Sequence, residues 1–187
     1  MKKTRPTTEY ALLGAIMCGP EYGYEIMQFL KASLASIWYV SPSQLYTLLR
    51  KLERQGLLRS AIETQETRPS KRVFSLTAAG EKSFLAWLHS PTAHVRDLRI
   101  EFLAKLFFFH HLSLKGANEL VEAQIMHLQK LRGRIQKKGE RERNPYEKLV
   151  LRFRLRTLDA WCRWLIEEAK PFMFLSDEHS DQAPPRP

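Results

Sequence analysis

The sequence predicts a mainly α-helical chain in two parts: a helical domain carrying one small β-hairpin over residues 1–90, then an all-helical antiparallel hairpin over residues 91–175. Three observations predict this. Apolar residues recur at three- and four-residue steps through most of the 187 residues. Strand-like patterning is confined to the neighbourhood of residues 57–76, and beyond Pro91 the helical period runs on to a polar, proline-rich end. With 44% hydrophobic and 27% charged residues, the composition is that of a globular protein with material for a real core.

The first helix opens after Pro6 with Thr7 or Thr8 as its cap, carries Ala11, Leu12, Leu13, Ala15, Ile16 and Met17, and stops at Gly19-Pro20. A second begins near Gly23 and sets Tyr24, Met27, Leu30 and Leu34 in a stripe spaced for burial. The third has the clearest punctuation. Ser41 fits the N-cap, Pro42 stands where a missing N–H costs nothing, Gln44 completes a Ser-x-x-Gln capping box, and Gly56 is the stop. Leu45, Leu48, Leu49 and Leu52 form its core face. At about 100° per residue, Ser43, Thr47, Arg50 and Arg54 fall on the opposite face, flanked by Gln44, Tyr46 and Lys51.

Residues 57–63 and 72–76 alternate as strands and flank a polar loop holding Arg68, Pro69, Ser70 and Lys71, a hairpin with a basic tip. Thr77 then caps a fourth helix bearing Phe84, Leu85, Trp87 and Leu88. The order helix, helix, helix, strand, strand, helix is that of a winged helix-turn-helix.

Residues 98–111 are too apolar to stand alone in water. Ser113 is positioned to cap a helix reaching about Arg141, roughly 43 Å long. Asn144-Pro145-Tyr146-Glu147 stops it and starts another, along which Leu151, Leu155, Leu158, Cys162, Leu165 and Ala169 form a heptad-like seam. Two such helices form a hairpin whose seams the small C-terminal remainder cannot cover, so a coiled-coil-like homodimer is expected, with Val121, Ile125, Leu128, Leu155, Leu158 and Leu165 in its interface. Residues 176–187 are polar and proline-rich, and are expected to be disordered.

The net charge of +10 divides evenly, +5 in residues 1–90 and +5 in 91–187, and points to a polyanionic partner. A major groove admits one α-helix and is read by side chains turned away from the protein core. Ser43, Thr47 and Arg50 supply two hydroxyls and a guanidinium able to pair with guanine, and Ser41, Gln44, Tyr46 and Arg54 lie where phosphates pass. Arg68, Lys71 and Arg72 suit a wing along the DNA backbone. The expected partner is double-stranded operator DNA. The alternative is an effector-sensing or protein-interaction module with little sequence-specific binding, and a third reading is an architectural nucleic-acid binder. Residues 130–156 hold 11 basic residues against Glu140, Glu142 and Glu147, a solvated face or a second anion contact.

Other chemistry finds little purchase. The chain has no P-loop, G-x-G-x-x-G, H-E-x-x-H or G-x-S-x-G motif, so neither an enzyme nor a cofactor is expected. His110 and His111 are adjacent, which splays them about 100° apart on a helix, and no metal site is expected. Cys18 and Cys162 sit in apolar patterns and build no disulfide framework. No apolar run approaches the ~18 residues of a membrane span, and a cytoplasmic location without a membrane role is the default. Trp87, Trp161 and Trp164 suit either the core or a pocket for a small planar aromatic effector.

Several stretches in order resemble the PadR family of bacterial transcriptional regulators: Gly19-Pro20 with Gly23-Tyr24-Glu25, Trp38, Ser41 to Tyr46 with Leu49, Leu52-Glu53 and Gly56-Leu57, and Arg72 to Gly80. Pro91-Thr92-Ala93-His94, Ile100 to Leu106 and the Trp161–Trp164 helix resemble the longer branch, typified by the virulence-gene activators, which carries a helical dimerisation domain. The resemblance implies a homodimer on a pseudo-palindromic operator, with Tyr46 at the DNA. Ser43 and Thr47 depart from the glycine and proline frequent in the family, and Phe74 stands where the family's wing usually has a tyrosine hydroxyl.

Overall fold

The computed structural model describes residues 6–37, 39–64 and 71–174. Arg68, Trp38 and the tail 176–187 lie outside the described residues. Compact packing divides the chain into one unit within Met1–Leu88 and Arg99–Leu112, and a second within His89–Leu98 and Ser113–Pro187.

In the first unit the elements are α1 (Thr7–Met17), α2 (Gly23–Leu34), α3 (Pro42–Arg54), β1 (Leu58–Glu63), β2 (Lys71–Leu76), α4 (Ala78–Leu88) and α5 (Leu103–Leu112). β1 and β2 pair antiparallel from Leu58↔Leu76 to Glu63↔Lys71. The hairpin is tied to the turn before α2 by a bridge between Tyr22 and Val73 and by the Phe74 N–H donating to the Glu21 carbonyl at 2.8 Å. The wing is thus anchored by backbone to the helical part. Thr77 caps α4 as expected: its Oγ1 accepts from the Gly80 N–H at 3.1 Å and donates to the Gly56 carbonyl at 2.7 Å. A Cβ at Gly80 would lie 2.1 Å from the Leu57 carbonyl oxygen, so only glycine admits this approach of helix to strand.

The core comes from α1 and the faces turned to it. Ala11, Leu12, Leu13 and Ala15 are fully buried, as are Ile26, Leu34, Leu45, Leu49 and Leu52. α5 belongs to this unit although it follows residue 90, which answers its excess of apolar surface: Phe102, Ala104, Phe108 and Phe109 are buried. Gly14 lets α5 and α4 close on α1, because a Cβ there would meet the Phe108 and Phe84 rings at 2.6 and 2.7 Å. Two charged side chains enter this packing, Glu9 at 1% exposure and Lys105. Lys105 is fully buried, its Nζ 2.8 Å from Glu101 Oε1 and 4.9 Å from the centre of the Trp87 ring, while Thr7 Oγ1 donates to Glu101 Oε2 at 3.2 Å.

Two N-terminal expectations are corrected. Pro6, not Thr7 or Thr8, is the N-cap of α1, and no side chain caps it. Tyr24 is 67% exposed and donates to nothing in the core; Ile26 takes its place in the buried stripe of α2.

The second unit holds α6 (Ala117–Arg141) and α7 (Pro145–Trp164), packed antiparallel, with a π-helical turn Leu165–Ala169 extending α7. Asn144 caps α7 through its Oδ1, which accepts from the N–H groups of Tyr146 and Glu147. α6 starts later than expected. Ser113 takes a positive φ of 51° and Gly116 one of 106°, so the backbone turns twice before the helix, and Gly116, not Ser113, is the N-cap. Gln124, fully buried, clamps the preceding segment by accepting from the Thr92 N–H at 2.6 Å and donating to the Thr92 carbonyl at 3.2 Å.

The seams of α6 and α7 are filled within one chain, contrary to the expectation that a monomer could not cover them. Val121, Leu128, Leu158 and Leu165 are at most 1% exposed in the single chain, and Ile125 and Leu155 are half-buried. Away from that seam, α7 leaves Tyr146, Leu149 and Phe153 in solvent at 68%, 62% and 71% exposure, and Met126 on α6 and Ile166, Phe172 and Phe174 beyond α7 are exposed as well. Among the described residues no helix is long and apolar enough to cross a membrane, and none of the His, Cys, Asp or Glu residues cluster as a metal site.

Candidate nucleic-acid interface

α3 is built to hold one face fixed and present the other. The Ser41 Oγ accepts from the Gln44 N–H at 3.3 Å and lies 3.3 Å from the Ser43 Oγ, closing the N-terminus. Leu45, Leu49 and Leu52 are fully buried, while Leu48 is only half-buried at the edge of that face. Ser43, Gln44, Tyr46, Thr47, Arg50 and Arg54 are all exposed. The outward row expected from helical spacing is therefore the row in solvent.

Local bonds decide what each side chain has to offer. Thr47 donates its hydroxyl proton to the Ser43 carbonyl at 2.8 Å, which leaves the oxygen as an acceptor towards solvent. Arg54 Nε donates to the Arg50 carbonyl at 3.4 Å, and the Arg50 guanidinium forms no ion pair among the described residues. Lys51, a flank residue by spacing, instead turns inward and binds the buried Glu9 at 2.5 Å. Tyr46 leans over the start of α2, where a Cβ on Gly23 would sit 2.6 Å from its ring. That glycine is what lets the phenol lie flat beside α2.

The wing is joined to α3 through one polar knot. Glu53 accepts from the Ser60 hydroxyl at 2.5 Å and from Arg72 Nη2 at 3.0 and 2.8 Å, and Arg72 Nε donates to Ser60 Oγ at 2.7 Å. The Ser60 hydrogen bond, with the Arg72 charge behind it, holds the Glu53 carboxyl below its ordinary value. Much of the guanidinium of Arg72 is therefore engaged in bracing the hairpin. Lys71 keeps its charge outward, with its Nζ 4.9 Å from the centre of the Tyr22 ring. The Tyr22 hydroxyl donates to Glu63 at 2.5 Å, a bond that raises its pKa.

Between α3 and the wing lies a cleft of about 560 Å³, lined by Tyr22, Tyr46, Arg50, Lys71, Arg72 and Phe74 among others. Four of the expected contact residues, Tyr46, Arg50, Lys71 and Arg72, thus meet at one concavity, and among the described residues two of its cations, Arg50 and Lys71, form no ion pair. Sequence spacing missed the tie between Glu53, Ser60 and Arg72, because it joins residues from three elements.

The tryptophans divide. Trp87 is buried against Tyr10, stacked at 4.9 Å, and against Phe84 and Lys105, so its ring faces are taken by the core of the first unit. In the second unit Trp161 and Trp164 pack perpendicular to each other at 5.6 Å and stay half-buried.

Comparison with known proteins extends this picture. Residues 12–86 match the transcriptional regulator PadR-like family, and residues 98–170 match the virulence activator alpha C-term family. The negative transcriptional regulator PadR of Bacillus subtilis is 31% identical over 145 residues, 76% of this chain and 74% of that protein. A probable transcriptional regulator of Mycobacterium tuberculosis is 26% identical over 90 residues, 48% of each chain. Among solved structures, Bacillus subtilis PadR in complex with operator DNA is 25% identical with a TM-score of 0.46, covering 92% of this chain and all of that one. The two family matches follow one another along the chain, and the chain belongs to the PadR-like family of transcriptional regulators.

Proposed function

We propose that this regulator binds a pseudo-palindromic operator as a homodimer and reads bases through Ser43, Thr47 and Arg50. Tyr46, Arg54 and Lys71 bind phosphates beside them, with Ser41 and Gln44 at the helix start. Arg72 serves first as the brace of the wing and offers its remaining N–H groups to the backbone. Arg68, outside the described residues, belongs to the same wing loop. The observation that carries this reading is the division of α3: leucines fully buried on one side, and a hydroxyl and guanidinium row exposed on the other beside a cationic cleft. Salt-dependent gel shifts on the duplex upstream of the protein's own gene, against a scrambled duplex, test it. A shift equal on both would support the architectural reading, and no shift would leave the alternative module without DNA recognition.

For the dimer, the exposed stripe Tyr146, Leu149 and Phe153 replaces the seam residues as the surface a second copy covers, since a contiguous apolar patch in solvent is costly. Sedimentation of Leu149→Asp/Phe153→Asp tests this: a monomer supports it, and an unchanged dimer refutes it. A small planar aromatic effector at Trp161 and Trp164 is part of the same proposal. Quenching of tryptophan emission by a planar aromatic acid, lost in Trp164→Leu, is its expected signature.

A further inference from the structure

The proposed interface leaves a second cationic surface unexplained. On α6, Lys130, Arg134, Lys137 and Arg141 are all exposed, and none of them forms an ion pair among the described residues. At about 100° per residue the four fall within roughly 60° of arc, and at 1.5 Å per residue they form a ridge about 16 Å long. They point away from the side buried through Val121, Leu128 and Ile135.

Nearby acids do not neutralise the ridge. Glu142 turns into its own loop and accepts from the N–H groups of Arg143 and Asn144 at 2.9 and 3.0 Å, bonds that lower its pKa. Asp159 is occupied by Arg132 at 2.7 Å. Glu140 lies about 60–100° round the helix from the ridge residues beside it. Four aligned cations with no ion pair among the described residues repel one another, and only Arg141, in the last turn, gains from the helix dipole.

A second observation concerns Gly133, one residue before Arg134 and next to Lys130 and Lys137 on the helix surface. Glycine is disfavoured within a helix, and a Cβ here would meet nothing within 4 Å. No packing inside the chain accounts for it. A missing side chain beside a row of cations allows close approach of an extended anion.

We infer that this ridge is an accessory contact for the phosphate backbone of double-stranded DNA, separate from α3 and indifferent to base sequence. The inference rests on the reading that the protein binds duplex DNA. Each phosphate neutralised adds about 0.9 to the salt slope, so four contacts add about 3.6 for each protomer whose ridge meets DNA.

The test uses the full-length protein and its variant Lys130→Gln/Arg134→Gln/Lys137→Gln/Arg141→Gln, which keeps helix-forming residues and whose unchanged far-ultraviolet dichroism and Tm establish folding. Fluorescence anisotropy is followed against salt with the upstream duplex, a scrambled duplex and phosphatidylserine vesicles. The expected result is a salt slope lower by about 2–3.5 for each protomer whose ridge meets DNA and an affinity lower by roughly tenfold or more on both duplexes, with their ratio preserved. An unchanged slope overturns the ridge, and loss of vesicle binding alone reassigns it to lipid and overturns the DNA contact. Arg50→Ala, run in parallel, separates the two claims: if it abolishes the preference for the upstream duplex while the ridge variant keeps its slope, the ridge fails and α3 recognition stands. Absence of duplex binding by the unmodified protein overturns both.

Discussion

Replacing Glu101 by Gln asks whether the fully buried Lys105 ammonium depends on its carboxylate partner 2.8 Å away. Burial pushes the lysine pKa down, and the Glu101 hydrogen bond and charge push it back up. Breaking a buried ion pair from one side costs about 3–5 kcal/mol, because the remaining charge loses its compensation. Here Glu101 is 18% exposed, and the Gln amide retains an oxygen that accepts from the ammonium, so the lower end, about 3 kcal/mol, is expected. Lys105→Met/Glu101→Gln removes the charge as well as its partner, and should recover to within about 1 kcal/mol of the parent protein. Urea unfolding at pH 7 with an unchanged m value measures both. The pH dependence supplies an independent sign. A lysine whose folded pKa lies below its ordinary 10.5 binds fewer protons folded than unfolded, so its contribution to stability rises with pH between the folded value and 10.5. Glu101→Gln lowers the folded value further and starts that rise at lower pH. Equal stability of Glu101→Gln and the parent, or a double variant no better than the single one, would refute the reasoning.

Arg50→Ala should weaken operator binding by about 1–3 kcal/mol with little effect on scrambled DNA, read by anisotropy, since its guanidinium forms no ion pair among the described residues. Equal losses on both duplexes would remove it from base reading. The Glu53 carboxyl is held below its ordinary value by Ser60 and Arg72, so its contribution is full above about pH 4.3 and fades as pH falls through the folded value. Amide protection factors in β1 and β2, taken relative to the intrinsic exchange rate at each pH, should therefore fall on acidification, and Glu53→Gln should lose that part of the response. Gly80→Ala drives a Cβ into the Leu57 carbonyl at 2.1 Å and should destabilise by about 1–3 kcal/mol. Gly133→Ala, with open space around it, should stabilise by about 1 kcal/mol in the same urea titration.

The elements that were legible in the sequence share one property: their signals act over four or five residues. The Ser41 cap, the leucines of α3, the Thr77 cap and the Asn144-Pro145 start are each satisfied by backbone within a turn, or by a periodicity that any partner would reward. Where a local signal competed with chain direction, it failed. Ser113 has the chemistry of a cap, but its positive φ and that of Gly116 place it in the turn before α6. Tyr24 fits the spacing of a buried stripe, yet spacing alone does not say where the stripe is centred, and Ile26 is the residue that meets the core.

By itself the sequence determined the order of helices and strands, the division of α3 into a leucine side and a polar side, and membership of a family of regulators. Only the tertiary structure decided what covers each apolar face and what neutralises each charge. It seats α5 in the first unit, closes the α6–α7 seam within one chain, gives Lys51 to Glu9, and binds Arg72 to Glu53 and Ser60. The physical reason is range. Helical periodicity and capping follow from neighbours along the chain, whereas burial and ion pairing depend on groups brought together from distant positions, such as the 42 residues separating Glu9 from Lys51.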